Sequence, residues 1–297
     1  MSGKAEEWQM ARRKKGTSRR SKASLTCQDH GCGQDEVNTK KTLLRIRETM
    51  SELKCEDFWL DWKKLLLLSS PVTASAPSPE DGALELPVDQ QEKGSDGTTD
   101  PGLECVCYGL GSFSSCVSAR YQLAMLLLLL ETLQIPPRLC CVFDPVFSAG
   151  ETDVLRQLDL SVLTENEEGK RLTKRPTIFY LMHCGKALYN NLLWRNWKRE
   201  TLPLLTIIGN SFSGIQERTV EREFQRDYGY ITQAVAVCDE RPLPCPPRLL
   251  DVFNDTAVIT FPPGGLSKLP QSTWAAPAEP RYEHCPDLEI IRRDGHS

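Results

Sequence analysis

Small and polar residues suited to binding an anion follow the first short apolar run of the main part of this sequence. Gly109, Gly111, Ser112 and Ser114 come at the end of the run 105–109, and a long apolar stretch starts shortly after them. Glycine permits a tight turn and close contact between backbone and ligand, and the free amide groups at the start of a helix attract phosphate. The pattern therefore predicts a strand, a turn and a helix that together bind a nucleotide or a nucleotide-like ligand.

The match of this turn to the dinucleotide-binding pattern G-x-G-x-x-G is imperfect. Ser114 stands at the position of the third glycine, and Asp144, the acidic residue after the next apolar run, follows Ser114 by 30 positions rather than about 20. An ordinary tight turn between a strand and a helix also explains the glycines. A methyltransferase-like enzyme that uses the 109–114 turn and Asp144 is the alternative enzymatic interpretation.

Polar residues also follow the later apolar runs, at the positions where parallel strands would end. In an open α/β sheet, the crevice beyond the carboxyl ends of the strands is the usual place for a ligand. We therefore expect one ligand site at this edge of the sheet. Its candidate residues are Gly109, Gly111, Ser112, Ser114, Asp144, Asn166, His183, Gly185, Asn210 and Ser211.

These residues do not form a recognisable catalytic set. His183 and Cys184 are neighbours, and neighbouring side chains on a strand point to opposite faces, so they cannot act as a dyad. Ser211, His183 and Asp144 would be the members of a hydrolase triad, but residues 209–213 lack the second glycine of the G-x-S-x-G motif. We assign no catalytic residue, and whether the protein is an enzyme stays open.

The 12 cysteines give little indication of a metal site, because the sequence contains no C-x-x-C pair. Cys245 and Cys285 each precede a proline, as the thiolate haem ligands of some haem-sensing proteins do, and His284 would be a second ligand beside Cys285. These three residues are the candidate haem ligands, although no cofactor is assigned. In a chain without an export signal, the cysteines are expected to be reduced thiols.

The elements that must position these residues alternate between short apolar runs and longer amphipathic stretches over residues 104–262. This alternation is typical of a parallel α/β sheet. The predicted fold class is α/β, a Rossmann-like, mostly parallel sheet with helices on both faces, plus an N-terminal helix and flexible tails. The predicted strands are 105–109, 139–143, 161–164, 177–182, 204–208 and 235–238, with 257–261 as an added edge strand. The predicted helices are 114–136, 186–197 and 214–228, the first with Ser114 or Ser115 as its N-cap.

Charge is distributed unevenly, although the net charge of the 297 residues is only −4. Residues 1–22 carry a net charge of +6, and residues 69–104 carry −7. We interpret 1–38 as a basic disordered tail and 69–103 as an acidic disordered linker, because such polar stretches cannot bury enough apolar surface to fold. The Pro-rich residues 263–297 are interpreted as an irregular C-terminal tail.

An amphipathic helix is predicted over residues 39–68, between the basic tail and the acidic linker. Its apolar face is formed by Leu43, Ile46, Met50 and Leu53, which recur at helical spacing, and Leu60 lies near the same face. Phe58, Trp59 and Trp62 make its second half unusually apolar for an exposed helix. The helix either docks on the main domain or binds a protein partner, and a pure protein-interaction module is a further alternative function.

Composition and charge exclude several other classes of protein. The longest apolar run, 123–130, is far shorter than the about 20 residues of a membrane-spanning helix. The N-terminus has no apolar signal-peptide core, so we expect a cytoplasmic and also nuclear location. The slightly negative net charge argues against a nucleic-acid binder. The expected partners are proteins and a small-molecule ligand, with no membrane and no specific nucleic acid.

Five motifs in residues 104–213 together resemble the SRR-like family, the sensitivity-to-red-light-reduced proteins. The motifs are 107–113 (CYGLGSF), 143–147 (FDPVF), 166–170 (NEEGK), 183–192 (HCGKALYNNL) and 208–212 (IGNSF). The resemblance implies a regulatory protein with a role in circadian-clock gene expression and in the regulation of haem biosynthesis, and it brings no catalytic activity. Met182 departs from the family, whose members often have proline before the His-Cys-Gly motif.

Overall fold

The computed structural model describes residues 32–69, 102–274, 277–283 and 285, with side chains from residue 38 onwards. The predicted basic tail up to residue 31 and residues 70–101 of the predicted acidic linker lie outside the described residues. No helix of the described residues is both long enough and apolar enough to span a bilayer.

One seven-stranded sheet, with the strand order β3-β2-β1-β4-β5-β7-β6, organises the protein. Strands β1 to β5 pair in parallel, and β7 runs antiparallel to its neighbours β5 and β6. The sheet therefore has the predicted α/β, mostly parallel character. The strands are β1 (Glu104–Tyr108), β2 (Cys140–Phe143), β3 (Ser161–Val162), β4 (Thr177–Leu181), β5 (Leu205–Asn210), β6 (Asp239–Pro242) and β7 (Thr256–Thr260).

Helices cover both faces of the sheet, because successive residues of a strand point to opposite sides. In β1, Cys105 and Cys107 pack with α1 to α4 and α9, whereas Val106 and Tyr108 pack with α5 to α8 and α10. The prediction of helices on both faces is confirmed. The helices are α1 (Cys32–Lys54), α2 (Asp57–Ser69), α3 (Val117–Thr132), α4 (Ala149–Gln157), α5 (Lys186–Arg195), α6 (Phe212–Arg218), α7 (Glu221–Asp227), α8 (Gly229–Val235), α9 (Leu250–Phe253) and α10 (Pro263–Leu266).

The second half of the sheet differs from the prediction in two places. The predicted strand 235–238 is the end of α8 and the turn after it, and the strand that follows is β6. The predicted edge strand 257–261 lies inside the sheet as β7, and β6 forms the edge. Ala257, Val258 and Ile259 are buried, which suits an inner strand, whereas the charges and the proline of β6 protect an exposed edge from further pairing.

Three predicted helices also have different bounds. The segment 39–68 forms two helices, α1 and α2, with a break at Cys55 and Glu56, and Leu60 after this break is 63% exposed rather than on the buried face. The segment 214–228 is likewise divided between α6 and α7. Helix α3 begins after Cys116, whose side chain makes no cap hydrogen bond, so neither predicted serine is its N-cap.

Helices α1 and α2 dock on the main domain. Trp62 is fully buried, its indole Nε1 donates a 2.7 Å hydrogen bond to the carbonyl of Pro244, and its ring lies 5.3 Å from that of Phe253. Phe58 and Trp59 are buried with it. The partner-binding alternative needs these aromatic side chains to be exposed, whereas they are buried between α2 and the main domain.

The described part of the predicted irregular C-terminal tail packs against the core. It contains α10 and a short 3-10 helix, Gln271–Trp274. Further on, Tyr282 is buried, and its hydroxyl donates a 2.8 Å hydrogen bond to Asn191 Oδ1 and accepts one of 3.1 Å from Asn190 Nδ2 on α5. Residues 277–283 are thus anchored to the outer helical layer.

Candidate functional site

A cavity of about 280 Å³ lies beyond the carboxyl ends of β1, β2 and β4. Strands β2 and β3 are added on one side of β1, and the next strand of the chain, β4, pairs with β1 on its other side. This reversal of strand order is the place where open α/β sheets bind ligands. The lining residues are Tyr108, Gly109, Phe143, Asp144, Pro145, Asn166, Glu168, Gly169, His183, Cys184, Gly185 and Leu188.

The cavity brings together half of the residues that the sequence predicts for a ligand site. The five that line it are Gly109, Asp144, Asn166, His183 and Gly185. Gly111, Ser112 and Ser114 continue the turn after β1 without lining the cavity, and Asn210 and Ser211 lie at the end of β5, also outside it. The site is therefore built around β1, β2 and β4 rather than along the whole edge of the sheet.

The glycine turn after β1 is required by its backbone geometry. Gly109 and Gly111 have φ angles of 67° and 77°, a region that favours glycine. A Cβ atom on Gly109 would lie 2.6 Å from Cys184 Sγ, so only glycine allows the ends of β1 and β4 to approach this closely. Cys184 Sγ in turn donates to the carbonyl of Tyr108 at 3.3 Å.

Asp144 joins the wall of the cavity to the glycine turn. Its Oδ2 accepts a 2.7 Å hydrogen bond from the amide of Gly111, and its Oδ1 accepts one of 3.0 Å from the amide of Val146. One carboxylate therefore fixes the turn after β1 and the turn after β2. A carboxylate that already accepts two bonds keeps acceptor capacity for a ligand hydroxyl group.

Glu151 of α4, which the sequence did not indicate, occupies the donors of the same turn. Its Oε1 accepts hydrogen bonds from Ser112 Oγ at 2.8 Å and from the amide of Ser114 at 2.9 Å, while Oε2 accepts from the amide of Ser148 at 3.0 Å. Glu151 is only 2% exposed. Burial would raise the pKa of its carboxyl group, but the hydrogen bonds from Ser148, Ser114 and Ser112 outweigh burial and lower the pKa.

Glu151 thus accepts hydrogen bonds from the turn after β1, the same turn whose amides hold the phosphate in a dinucleotide-binding fold. The amide donors of such a turn bind an anion because they have no other acceptor. Here the protein supplies the anion itself. The S-x-x-E capping box of Ser148 and Glu151 at the start of α4 is the local signal in the sequence for this helix, but it does not predict the contacts with Ser112 and Ser114.

The loop 166–170 forms the outer wall of the cavity. Asn166 Oδ1 accepts a 2.9 Å hydrogen bond from the amide of Glu168, and the carboxylate of Glu168 pairs with Lys170 at 2.8 Å. Lys170 also pairs with Glu279 of the C-terminal segment at 2.8 Å, and Asn191 donates to the carbonyl of Glu168 at 2.9 Å. These contacts hold the loop and its carboxylate against α5 and the C-terminal segment.

His183 is placed at the exposed rim of the cavity. Its φ angle of 50° lies in the left-handed region, which is unusual for a residue other than glycine. The Nε2 atom lies 3.3 Å from the carbonyl oxygen of Asn254. The side chain is exposed, so it is available to a ligand at the mouth of the cavity.

The polar residues after β5 are engaged in local structure. The Asn210 side chain accepts a 2.8 Å hydrogen bond from the Tyr189 hydroxyl. Ser211 Oγ accepts from the amide of Gly214 and donates to Glu240 Oε1 at 2.5 Å, so it caps α6. Because Ser211 is bonded to Glu240, and Asp144 to backbone amides, these residues do not assemble with His183 into a hydrolase triad.

The candidate haem ligands lie far from this cavity and from each other. Cys245 packs with the core on the side of α1 and α2, whereas Cys285 packs on the opposite side of the sheet, and burial raises the pKa of both thiols. Neither cysteine lines the strand-end cavity, and His284 lies outside the described residues. Haem binding by Cys245, or by Cys285 with His284, stays a prediction.

Two other features bear on the choice of site. The described residues contain no group of three or more His, Cys, Asp or Glu side chains that could hold a metal ion. A larger groove of about 890 Å³ lies between α5, α8 and residues 278–283. It shares Glu168 with the strand-end cavity but is lined by no residue that ends a strand, so we base the candidate site on the smaller cavity.

Comparisons with known proteins identify relatives in animals and plants. A Mus musculus SRR1-like protein is 43% identical over 209 residues, which cover 67% of this chain and 83% of the mouse protein. A Drosophila melanogaster SRR1-like protein is 32% identical over 270 residues, which cover 90% of this chain and 86% of the fly protein. The Arabidopsis thaliana Protein SENSITIVITY TO RED LIGHT REDUCED 1 is 40% identical over 116 residues, 39% of this chain and 42% of the plant protein.

No solved structure matches this chain. The family model described as SRR1 domain matches residues 89–260, which include every strand of the sheet. The cavity, the glycine turn and Asp144 all lie inside the matched residues. The chain therefore belongs to the SRR1 domain family.

Proposed function

We propose that this protein is a regulatory protein that binds a small ligand in the strand-end cavity. The observation that carries the proposal is the position of the cavity, which lies at the reversal of strand order and is lined by residues of four of the five family motifs. A site that served only the packing of the sheet would not need an open cavity of about 280 Å³ with convergent carboxylate, amide and imidazole groups.

The process that this ligand would regulate follows from the family. The similar Arabidopsis protein is named for a reduced sensitivity to red light. For this chain we propose a role in circadian-clock gene expression and in the control of haem biosynthesis, as its resemblance to the SRR-like family implies. Ligand binding would let a metabolic signal reach that regulation through the loop 166–170 and the start of α5, which line the cavity.

A thermal-shift panel on the purified full-length protein tests the ligand proposal. The panel contains haem, adenine nucleosides, adenine nucleotides and S-adenosylmethionine. A binding compound raises the melting temperature of the wild type, because it stabilises only the folded state. The proposal is wrong if no compound raises the melting temperature.

A cavity-filling variant localises the binding site. Leu188 on α5 lines the cavity and is half-buried, so Leu188→Trp fills the space with a ring that extends from the wall. Leu44→Trp is the matched control, because Leu44 lies on the exposed face of α1, away from the strand ends. Binding that survives Leu188→Trp unchanged would place the ligand elsewhere in the protein.

A further inference from the structure

We propose that the strand-end cavity is selective for a nucleoside-like ligand without net negative charge, and that it rejects nucleoside phosphates and haem. This inference rests on the proposed function, and it names the chemical class of the ligand. It follows from the charge of the cavity wall, from the occupied donors of the glycine turn and from the groups that remain for a ligand.

The charge of the cavity wall is the first of these observations. Two carboxylates, those of Asp144 and Glu168, line the cavity, and the described lining contains neither lysine nor arginine. Lys170 neutralises Glu168 in part, and the start of α5 adds the equivalent of about half a positive charge. A full negative charge on Asp144 remains, so a phosphate or a propionate in the cavity would meet a carboxylate without a cation to pair with.

The glycine turn removes the usual alternative for a phosphate. In nucleotide-binding folds the backbone amides of this turn hold the phosphate, and no basic side chain is needed. Here the amides of Gly111 and Ser114 donate to Asp144 and Glu151 at 2.7 and 2.9 Å. A phosphate would have to displace the half-buried carboxylate of Asp144 from the first donor and the buried carboxylate of Glu151 from the second.

The groups that remain for a ligand suit a ring with hydroxyl groups. Phe143, Pro145 and Leu188 supply apolar surface in the cavity, and Asp144 supplies carboxylate oxygens that accept hydrogen bonds from hydroxyl groups. At the start of α5, Gly185 provides no side-chain cap and the amide of Leu188 donates to the carbonyl of Gly185 at 3.1 Å, so the amides of Lys186 and Ala187 are the donors that this helix end offers to a ring nitrogen or a carbonyl. A ligand that fits these groups has a flat ring, hydroxyl groups that donate to Asp144 and ring nitrogen or carbonyl acceptors. A nucleoside has all three.

Calorimetric titration of the full-length protein tests this selectivity. The titrants are adenosine, guanosine, cytidine, uridine and S-adenosylmethionine, each nucleoside compared with its 5′-monophosphate, and haem. We expect one of the nucleosides to bind, and its 5′-monophosphate to bind about tenfold or more weakly because of the uncompensated carboxylate. S-adenosylmethionine, which carries a sulfonium group at its 5′ carbon, is the positively charged comparison.

Two variants connect the selectivity to the wall. Asp144→Asn and Glu168→Gln keep the side-chain shape and remove a negative charge. Each should therefore reduce the ratio of the dissociation constant of the monophosphate to that of the nucleoside. Glu131→Gln is the matched control, because this exposed carboxylate lies in the last turn of α3, outside the cavity. The control should leave the ratio unchanged.

The possible results separate the inference from the proposed function. A monophosphate or haem that binds in the cavity more tightly than every uncharged compound overturns the inference, while ligand binding itself would stand. The inference is also wrong if the ratio of the two dissociation constants is the same in the wild type and in both charge variants. If none of the compounds binds, the proposed function fails together with the inference.

Discussion

Glu151 offers the sharpest test of the interpretation that the protein fills its own anion site. Replacing it in Glu151→Ala removes the carboxylate that accepts hydrogen bonds from the amides of Ser114 and Ser148 and from Ser112 Oγ. In the variant, the Ser112 hydroxyl group can turn towards water, whereas the backbone fixes the direction of the Ser114 and Ser148 amides. The variant therefore leaves a turn with unpaired donors, which is the condition for binding an external anion.

The magnitude of the effect follows from these contacts. A part-buried donor left without an acceptor costs about 1–3 kcal/mol. Part of this cost is offset, because the variant no longer has to bury a charged carboxylate. We expect Glu151→Ala to lower the free energy of unfolding by about 2–4 kcal/mol, a large share of the about 5–15 kcal/mol typical of a domain. Asp153→Ala, on the same helix but exposed, is the control and should change it by less than about 0.5 kcal/mol.

Urea denaturation with and without inorganic phosphate checks the prediction. Phosphate at tens of millimolar should stabilise Glu151→Ala and should leave the wild type and Asp153→Ala unchanged, because only the first variant has free donors. Equal stabilisation of all three proteins would refute the reasoning. It would mean that phosphate binds somewhere other than the turn, or binds there while Glu151 stays in place.

The pH dependence of stability gives a second readout of the same contacts. The pKa of Glu151 lies below its ordinary value of 4.5, since the hydrogen bonds favour the charged form despite burial. The unfolded state therefore takes up a proton at higher pH than the folded state does. The stability from these contacts is present above the ordinary pKa of 4.5 and is lost as the pH falls through the lower folded pKa, so Glu151→Gln should show a smaller loss in that range.

Three further substitutions test the contacts that hold the site together. Trp62→Ala should lower the free energy of unfolding by about 3–5 kcal/mol in urea denaturation, because it leaves a large void between α2 and the main domain. Gly109→Ala should cost at least about 2 kcal/mol from its positive φ and its contact with Cys184, whereas Gly150→Ala, in open space on α4, should be neutral or stabilising. Tyr282→Phe should cost about 1–3 kcal/mol, because Asn191 Oδ1 loses its donor and Asn190 Nδ2 keeps only its bond to the carbonyl of Asp227, and hydrogen exchange should then increase in residues 277–283.

The sequence predicts the central strands because their position in the sheet determines their composition. A strand that is buried on both faces must be apolar at every position, so β1, β4 and β5 stand out as short continuous apolar runs. Strand β6, with the sequence Asp-Glu-Arg-Pro, has no such signal because its edge faces solvent. The apolar residues 235–238 were more strand-like, but Val235 ends a helix instead.

Some residues of the candidate site can be predicted from the local sequence pattern, and others cannot. Asp144 and His183 follow apolar runs directly, so once the strands are placed, these residues lie at their carboxyl ends. Glu151 comes from a helix 37 positions beyond Ser114, and its role depends on how α4 packs beside the turn. A capping box predicts a helix start, but no spacing rule indicates that the same carboxylate also accepts from a distant turn.

The turns after β1 and β5 show the same use of an internal carboxylate. Glu240 of β6 accepts hydrogen bonds from Ser211 Oγ and from the amides of Phe212 and Ser213, as Glu151 does at the first turn. Both turns have the glycine and serine residues of an anion-binding loop, and in each turn two backbone amides and a serine hydroxyl donate to internal carboxylates. At the first turn, the wall of the strand-end cavity therefore presents the carboxylate of Asp144 rather than free amides. A ligand group held against Asp144 must supply hydrogen-bond donors, as the hydroxyl groups of a sugar do.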